Sequence, residues 1–342
     1  RPLPRWRAAL AGFVAAFCVV VEYQAAIYMF FLVALSLPRK GTTWSTLFAF
    51  ALGALPPILA LAGYHNAAFG SPFKTSYHFV ADKFFASVHR QGFMGVGMPR
   101  LEPLVGSLFK PSKGLFFFSP LCLLGYAGLA AWWRLRTAGW ERALRLAMVT
   151  LPVLFVSSMV YWDGGWTVSQ RHLTPLIPFL VAPAACLVDR SRWARMLAPG
   201  IVMASVMMVG VATLVLPHLP ENWANPFFDI TLPLLAKGCL AATPFTTTTS
   251  SLPVAVFFAS MLVVLLVVAV SRGPTPLRNK VLAVILMVWI PLAWYDFGSR
   301  IERRPAPQAE KDRRFFERHC QSAERWTEVK RTSAGSRPRP PR

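Results

Sequence analysis

Apolar runs recur along most of this 342-residue chain, separated by short polar or basic connections. A helix crossing the hydrocarbon core of a bilayer needs ~20 predominantly apolar residues. Runs that read as spans are 44–63, 115–133, 146–161, 173–188, 197–216, 252–270 and 281–295. Ahead of them, 8–37 is apolar except for Glu22, Tyr23 and Gln24 near its middle. That stretch reads either as one long span or as two short helices joined by a polar tip. The second reading is favoured because it removes an odd crossing from the charge pattern below. Segment 79–91 sets Val80, Phe84, Phe85 and Val88 at helical spacing, with Asp82, Lys83, His89 and Arg90 opposite. Such a segment suits a helix lying in the membrane interface. In 217–251, Pro217, Pro220, Pro226 and Pro233 break any long helix. The pattern therefore predicts an all-α fold: a polytopic membrane helical bundle over 1–295 with about eight membrane helices, an interfacial helix in the 64–114 loop and essentially no sheet. A basic tail, 296–342, follows, and its Pro, Arg and Ser content at 333–342 reads as disorder.

Composition agrees: 55% of residues are hydrophobic and 15% charged, against about 25% charged in soluble domains. The net charge of +21 would point to nucleic acid if the cations were clustered on a polar domain. Here they sit between apolar runs, so no nucleic-acid partner is expected. The connections 1–7, 38–43, 134–145, 189–196 and 271–280 hold 15 Lys/Arg in 43 residues, whereas 22–24, 64–114, 162–172 and 217–251 hold 8 in 100. Cytoplasmic connections carry the excess of Lys and Arg, which assigns the first set to the inside and the second to the outside of a multi-pass membrane protein. The tail, with 13 Lys/Arg and 7 Asp/Glu, falls outside by parity, and the charge rule weakens beyond ~15–20 residues from a span. A chain that opens at Arg1, without Met or a signal-peptide pattern, reads as a fragment or a processed product.

Chemistry is expected on the outer connections, because a scaffold of helices holds them. In 64–114 the basic turn Phe109-Lys110-Pro111-Ser112-Lys113-Gly114 is either a covering loop with solvated lysines or an anion site near the headgroups. The connection 161–172 is aromatic and Gly-containing, and brings Asp163, Arg171 and His172 between two spans. It is either an interfacial belt with Asp163 and Arg171 paired, or a polar site where Arg171 holds a phosphate through two donors. Glu22 is a carboxylate among apolar residues. It marks a functional site or simply lies at the hairpin tip among headgroups. No phosphate-cradling Gly-x-x-x-x-Gly-Lys run, His-Glu-x-x-His or Cys-x-x-Cys is present. Six scattered His argue against a metal cluster, and no cofactor is expected. Of five Cys, Cys18, Cys122 and Cys186 fall in spans, and Cys239 and Cys320 could meet outside although no spacing argues for it. The run 246–249 has no assignable chemistry.

Three stretches together resemble a known family. They are Phe69-Gly70-Ser71-Pro72 with Tyr77; Phe109-Lys110-Pro111-Ser112-Lys113-Gly114-Leu115-Phe116 with Ser119-Pro120; and Trp162-Asp163-Gly164-Gly165-Trp166 followed by Arg171, Leu173, Pro175 and Pro178-Phe179. With 11–23, this set resembles bacterial polytopic glycosyltransferases of the GT-C superfamily over roughly residues 10–185. The resemblance implies an all-α membrane fold with its active site at the outer face. It also implies sugar transfer from a polyprenyl-phosphate donor to a hydroxyl of an acceptor glycan, lipid or protein. A carboxylate on the first external loop would be the base, and basic residues would hold the donor phosphate. Attack at an anomeric carbon needs a proton acceptor, and the departing lipid phosphate needs fixed positive charge. That acidic loop would precede Arg1, so the catalytic base is unknown in this chain. Gln170 and His172 stand where the family pattern has Gly and Tyr around the arginine. By position, Arg171 and Lys113 are the donor-phosphate-binding residues, with Asp163, His172 and Glu22 as secondary candidates. A transporter or lipid flippase, or a non-catalytic membrane scaffold, are the alternatives; transporters tend to show internal repeats and discontinuous helices.

Overall fold

A computed structural model describes residues 4–36, 43–134, 139–220, 223–241, 258–263, 266–267, 276–301 and 314–316. The expected span 252–270, the 246–249 run, Cys320 and the 333–342 tail lie wholly or mostly outside them. Among the described residues the fold is helical throughout, with isolated bridges at Phe93–Val96 and Val96–Met159 and no strand. The helices are α1 (Arg5–Val21), α2 (Ala25–Ser36), α3 (Trp44–Phe69), α4 (Lys83–His89), α5 (Leu101–Phe109), α6 (Leu115–Phe118), α7 (Leu121–Trp133), α8 (Gly139–Ser158), α9 (Ile177–Arg190), α10 (Arg192–Val215), α11 (Leu232–Ala236) and α12 (Leu277–Arg300). Four stretches are long and apolar enough to cross a membrane: Trp44–Phe69, Arg171–Arg190, Arg192–Val215 and Leu277–Arg300. This is a membrane protein. It divides into two compact units, the first from Arg1–Ser107, Gly125–Trp162 and His172–Cys186, the second from Leu108–Leu124, Asp163–Arg171 and Leu187–Arg342.

In the first unit the apolar stretch 8–37 is two helices, α1 and α2, parted by Glu22, Tyr23 and Gln24. Ala8, Gly12 and Ala16 repeat every fourth residue and form the buried stripe of α1. Small residues at this spacing let two backbones approach closely. Gly12 lies against the carbonyl of Phe50, and Gly53 on α3 lies against that of Ala9, leaving no room for a Cβ at either place. The 26 residues of α3 keep Phe48, Leu52, Leu55, Ile58 and Leu59 exposed, as a lipid-facing helix does. Thr43 caps its start, accepting from the Thr46 amide at 3.3 Å. Gly70 ends it in the left-handed region at φ 72°. Residues 95–100 are stitched to the end of α8: the Gly97 and Arg100 amides donate to Ser158 and Ser157 carbonyls at 2.8 and 3.0 Å, and the Val160 amide donates to Gly95 at 2.8 Å. Asp82 caps α4 through the Phe85 amide. The helical pattern read over 79–91 thus appears as a short turn, Ser76–Phe79, and then α4.

Two features of the second unit differ from the sequence reading. The run 115–133 is not one helix, because it breaks at Ser119-Pro120 between α6 and α7. Proline has no amide hydrogen and obstructs the turn before it. The freed Leu121 amide donates to Ser205 Oγ on α10 at 2.9 Å, and that hydroxyl in turn donates to the Ile201 carbonyl. Interhelical satisfaction of this kind is how a broken helix is tolerated in a membrane. The second difference lies in 217–251, read as an open connection. After Pro226 the chain winds into a π-turn, Phe227–Thr231, which leads into α11. Trp223, Phe227, Phe228, Ile230 and Leu234 are buried there with Phe117, Phe118, Met208, Ala212 and Val215. Asn225, fully buried, donates to the Gly298 carbonyl at 2.9 Å, and Trp294 Nε1 donates to the Phe117 carbonyl at 2.9 Å. The first bond ties α12 to the buried segment and the second ties it to α6.

Candidate functional site

In the second unit, the stretch from Asp163 to Arg171 is organised around Lys113. Its side chain is 1% exposed. The ammonium donates to the Gly165 carbonyl, to the Thr167 carbonyl at 2.9 Å and Oγ1 at 3.4 Å, and to the Leu219 carbonyl at 3.5 Å. A buried ammonium is tolerated only when acceptors replace its water, and here backbone oxygens do so. Gly164 and Gly165, at φ 71° and 76°, make the turn that presents these oxygens. Such angles exclude ordinary side chains at low cost. Ser169 also has a left-handed backbone, at φ 59°, which costs on the order of 1–3 kcal/mol outside glycine. Among the described residues its buried hydroxyl has no hydrogen-bond partner, while its carbonyl accepts from Thr167 Oγ1 at 3.1 Å. Arg171 follows, opening the 3-10 turn Arg171–Leu176. It is exposed, and among the described residues it makes no hydrogen bond or ion pair. Asp163 is half-buried and partnered, so the Asp163–Arg171 pair considered from sequence does not form. Lys113 and Arg171 thus belong to one local structure but differ in state: the lysine is enclosed, the arginine open.

The first unit has its own polar cluster, formed by the tip between α1 and α2, the end of α3 and the loop after it. His65 is 5% exposed. Its Nδ1 stands 3.2 Å from the Pro72 carbonyl and must donate, since a carbonyl only accepts. In the neutral ring Nε2 then accepts from the Tyr23 hydroxyl at 3.0 Å. Tyr77 packs edge-on to Tyr23, with ring centroids 6.4 Å apart, and lies 4.7 Å from the His89 ring. Gln24 Nε2 donates to His172 Nδ1 at 2.8 Å, which leaves Nε2 of His172 as the protonated nitrogen of the neutral ring. Glu22 is exposed beside this cluster.

Of the residues singled out by sequence, Lys113, Asp163 and Arg171 are thus gathered in the second unit, and His172 and Glu22 in the first. Sequence reasoning did not single out Tyr23, Gln24, His65, Thr167 or Ser169 as site residues. Tyr23 and Gln24 were marked only as the polar break around Glu22. That break was the available signal, since polar side chains at a helix tip need partners from elsewhere in the fold. Cys239 is disulfide-bonded, whereas Cys18, Cys122 and Cys186 are free; of the pairing considered above, Cys320 lies outside the described residues. No family model, curated protein or solved structure matches this chain.

Proposed function

We propose that the chain is the membrane core of a GT-C-like glycosyltransferase that takes sugar from a polyprenyl-phosphate donor at the outer face of the inner membrane, with Arg171 holding the donor phosphate. The observation that carries this reading is an exposed, unpaired arginine on a loop that Lys113 fixes from beneath. A guanidinium at a membrane edge can meet a phosphate through two parallel donors. A loop already ordered spares the entropy of positioning it. In this reading Lys113 does not touch the donor: its hydrogens already point to carbonyls, and its part is to position the loop. About eight membrane helices are expected in this reading, drawn from α1, α2, α7, α8 and the sequence span 252–270 beside the four long stretches. The catalytic base is assigned to no residue of this chain.

The test is sugar transfer by the full-length protein from polyprenyl-phosphate sugars. Arg171→Ala is expected to lower transfer by roughly a hundredfold, the scale of removing one donor to a developing oxyanion. Arg171→Lys should fall between, keeping the charge and losing the fork. Both should accumulate in the membrane as wild type does. Wild-type transfer rates for Arg171→Ala overturn the assignment. A second reading, a transporter, is favoured by one observation: the helix break at Ser119-Pro120 and the buried π-turn are discontinuities of the kind transporters use at substrate sites. Flux of a lipid-linked sugar into vesicles without transfer would select it.

A further inference from the structure

Where α7 ends and α8 begins, the first unit has a recess lined by Leu129, Trp132, Trp133, Arg142, Arg145 and Leu146. The Arg142 guanidinium lies over the Trp133 ring at 5.3 Å, and that of Arg145 lies over Trp132 at 5.2 Å. A cation over an aromatic face is attracted to the ring, and a guanidinium held this way can still present donors to an acceptor. The two arginines are not equivalent. Arg145 is paired with Glu141 at 3.4 Å. Among the described residues Arg142 has no ion-pair or hydrogen-bond partner, and its Nε is shielded from solvent. A donor that has lost water and gained no acceptor is an uncompensated cost. An anion bonded to the same guanidinium would offset that cost by pairing its charge.

We propose that the phosphate of an anionic phospholipid seats at the open mouth of this recess, with Arg142 bonding the phosphate oxygens and Leu129 and Leu146 flanking the first part of the acyl chains. Two observations favour a lipid over a free ion. The walls pair tryptophan with leucine, which suits the boundary between headgroup and chain. The connection 134–145 is one of the basic set that charge assigns to the cytoplasmic side, where anionic lipids concentrate and arginine clusters between helices bind their headgroups. The site belongs to the first unit and does not rest on the transfer reading.

Native mass spectrometry of the full-length protein in detergent tests it, with phosphatidylglycerol, phosphatidylcholine and inorganic phosphate offered separately and in competition. Wild type should retain phosphatidylglycerol in preference to phosphatidylcholine. Arg142→Gln should lower that retention by about fivefold, the effect of one cation near an anionic surface, and Arg142→Lys should keep most of it. Leu146→Trp, which narrows the recess from its exposed rim without altering charge, should lower retention as well. Arg192→Gln is the control, because Arg192 stacks on its sequence neighbour Trp193 at 5.3 Å; it should leave retention unchanged. Equal retention of both lipids by wild type overturns the proposal. So does an equal loss in Arg142→Gln and Arg192→Gln, which would mean diffuse surface charge, or wild-type retention by Leu146→Trp. Full displacement of the lipid by inorganic phosphate at equal concentration would make this a site for the free ion, and also overturns it.

Discussion

Lys113 and Arg171 look alike in sequence, as basic residues in glycine-containing connections, but removing them should have opposite consequences. Lys113→Met keeps the stem and deletes the ammonium, so the carbonyls of Gly165, Thr167 and Leu219 lose a buried donor at once. A buried acceptor left without its donor costs about 1–3 kcal/mol. Thermal unfolding of Lys113→Met in detergent should therefore show a large loss of stability, with transfer activity lost as a consequence. Arg171→Ala should melt as wild type does and lose activity alone. A Lys113→Met protein of wild-type stability that fails only in donor binding would return Lys113 to the phosphate. The turn around Lys113 was legible from Pro111 and Gly114. Its role was not, because the acceptors come from residues 52, 54 and 106 positions away, and spacing along a chain does not encode such closures. Ser169 is a similar case: the two adjacent glycines announce left-handed backbone, whereas nothing about a serine does.

At the scale of elements, apolar periodicity located the helices and the small-residue stripe explains how two of them pack. The polar tip at Glu22–Gln24 divided α1 from α2 because three consecutive polar side chains are costly in lipid. The break at Ser119-Pro120 was equally visible as a Ser-Pro step. Apolar content alone hides it, because the Leu121 amide finds its acceptor in Ser205, 84 residues away. The π-turn at Phe227–Thr231 was hidden for the opposite reason. Four prolines suggested an open connection, while the aromatic residues between them were building a core. The α1–α3 contact gives the prediction for this scale. Gly12→Leu forces a side chain into the Phe50 backbone and should destabilise the protein by about 1–3 kcal/mol, as overpacking does. Gly63→Leu is its control, since Gly63 on the same α3 faces open space and the change should stay within about 0.5 kcal/mol. Equal effects of the two in a thermal-shift or reversible-unfolding measurement would mean that the close approach of α1 and α3 is not what holds them.

For the whole molecule, the open question is how many times the chain crosses the bilayer, and α7 decides much of it. Its 13 residues span about 20 Å at 1.5 Å per residue, short of the ~30 Å hydrocarbon core. A crossing between the 64–114 loop and the 134–145 connection therefore needs α6 and α7 together, with the break between them satisfied inside the protein. The Leu121–Ser205 bond supplies that satisfaction, so the run still reads as one crossing. Counted with this run as a crossing, the charge pattern puts 64–114 outside and 134–145 inside. Single cysteines introduced at Phe73 and Gly139, in a background without the free cysteines, test the placement. Phe73 is 90% exposed, and a Cβ at Gly139 meets nothing within 4 Å, so neither change should disturb the fold. In intact cells an impermeant maleimide should label Phe73→Cys, and should label Gly139→Cys only after the membrane is opened. The reverse pattern inverts the protein. Labelling of both from outside means that α6 and α7 turn back within the membrane without crossing, and the number of spans then falls together with the orientation drawn from charge.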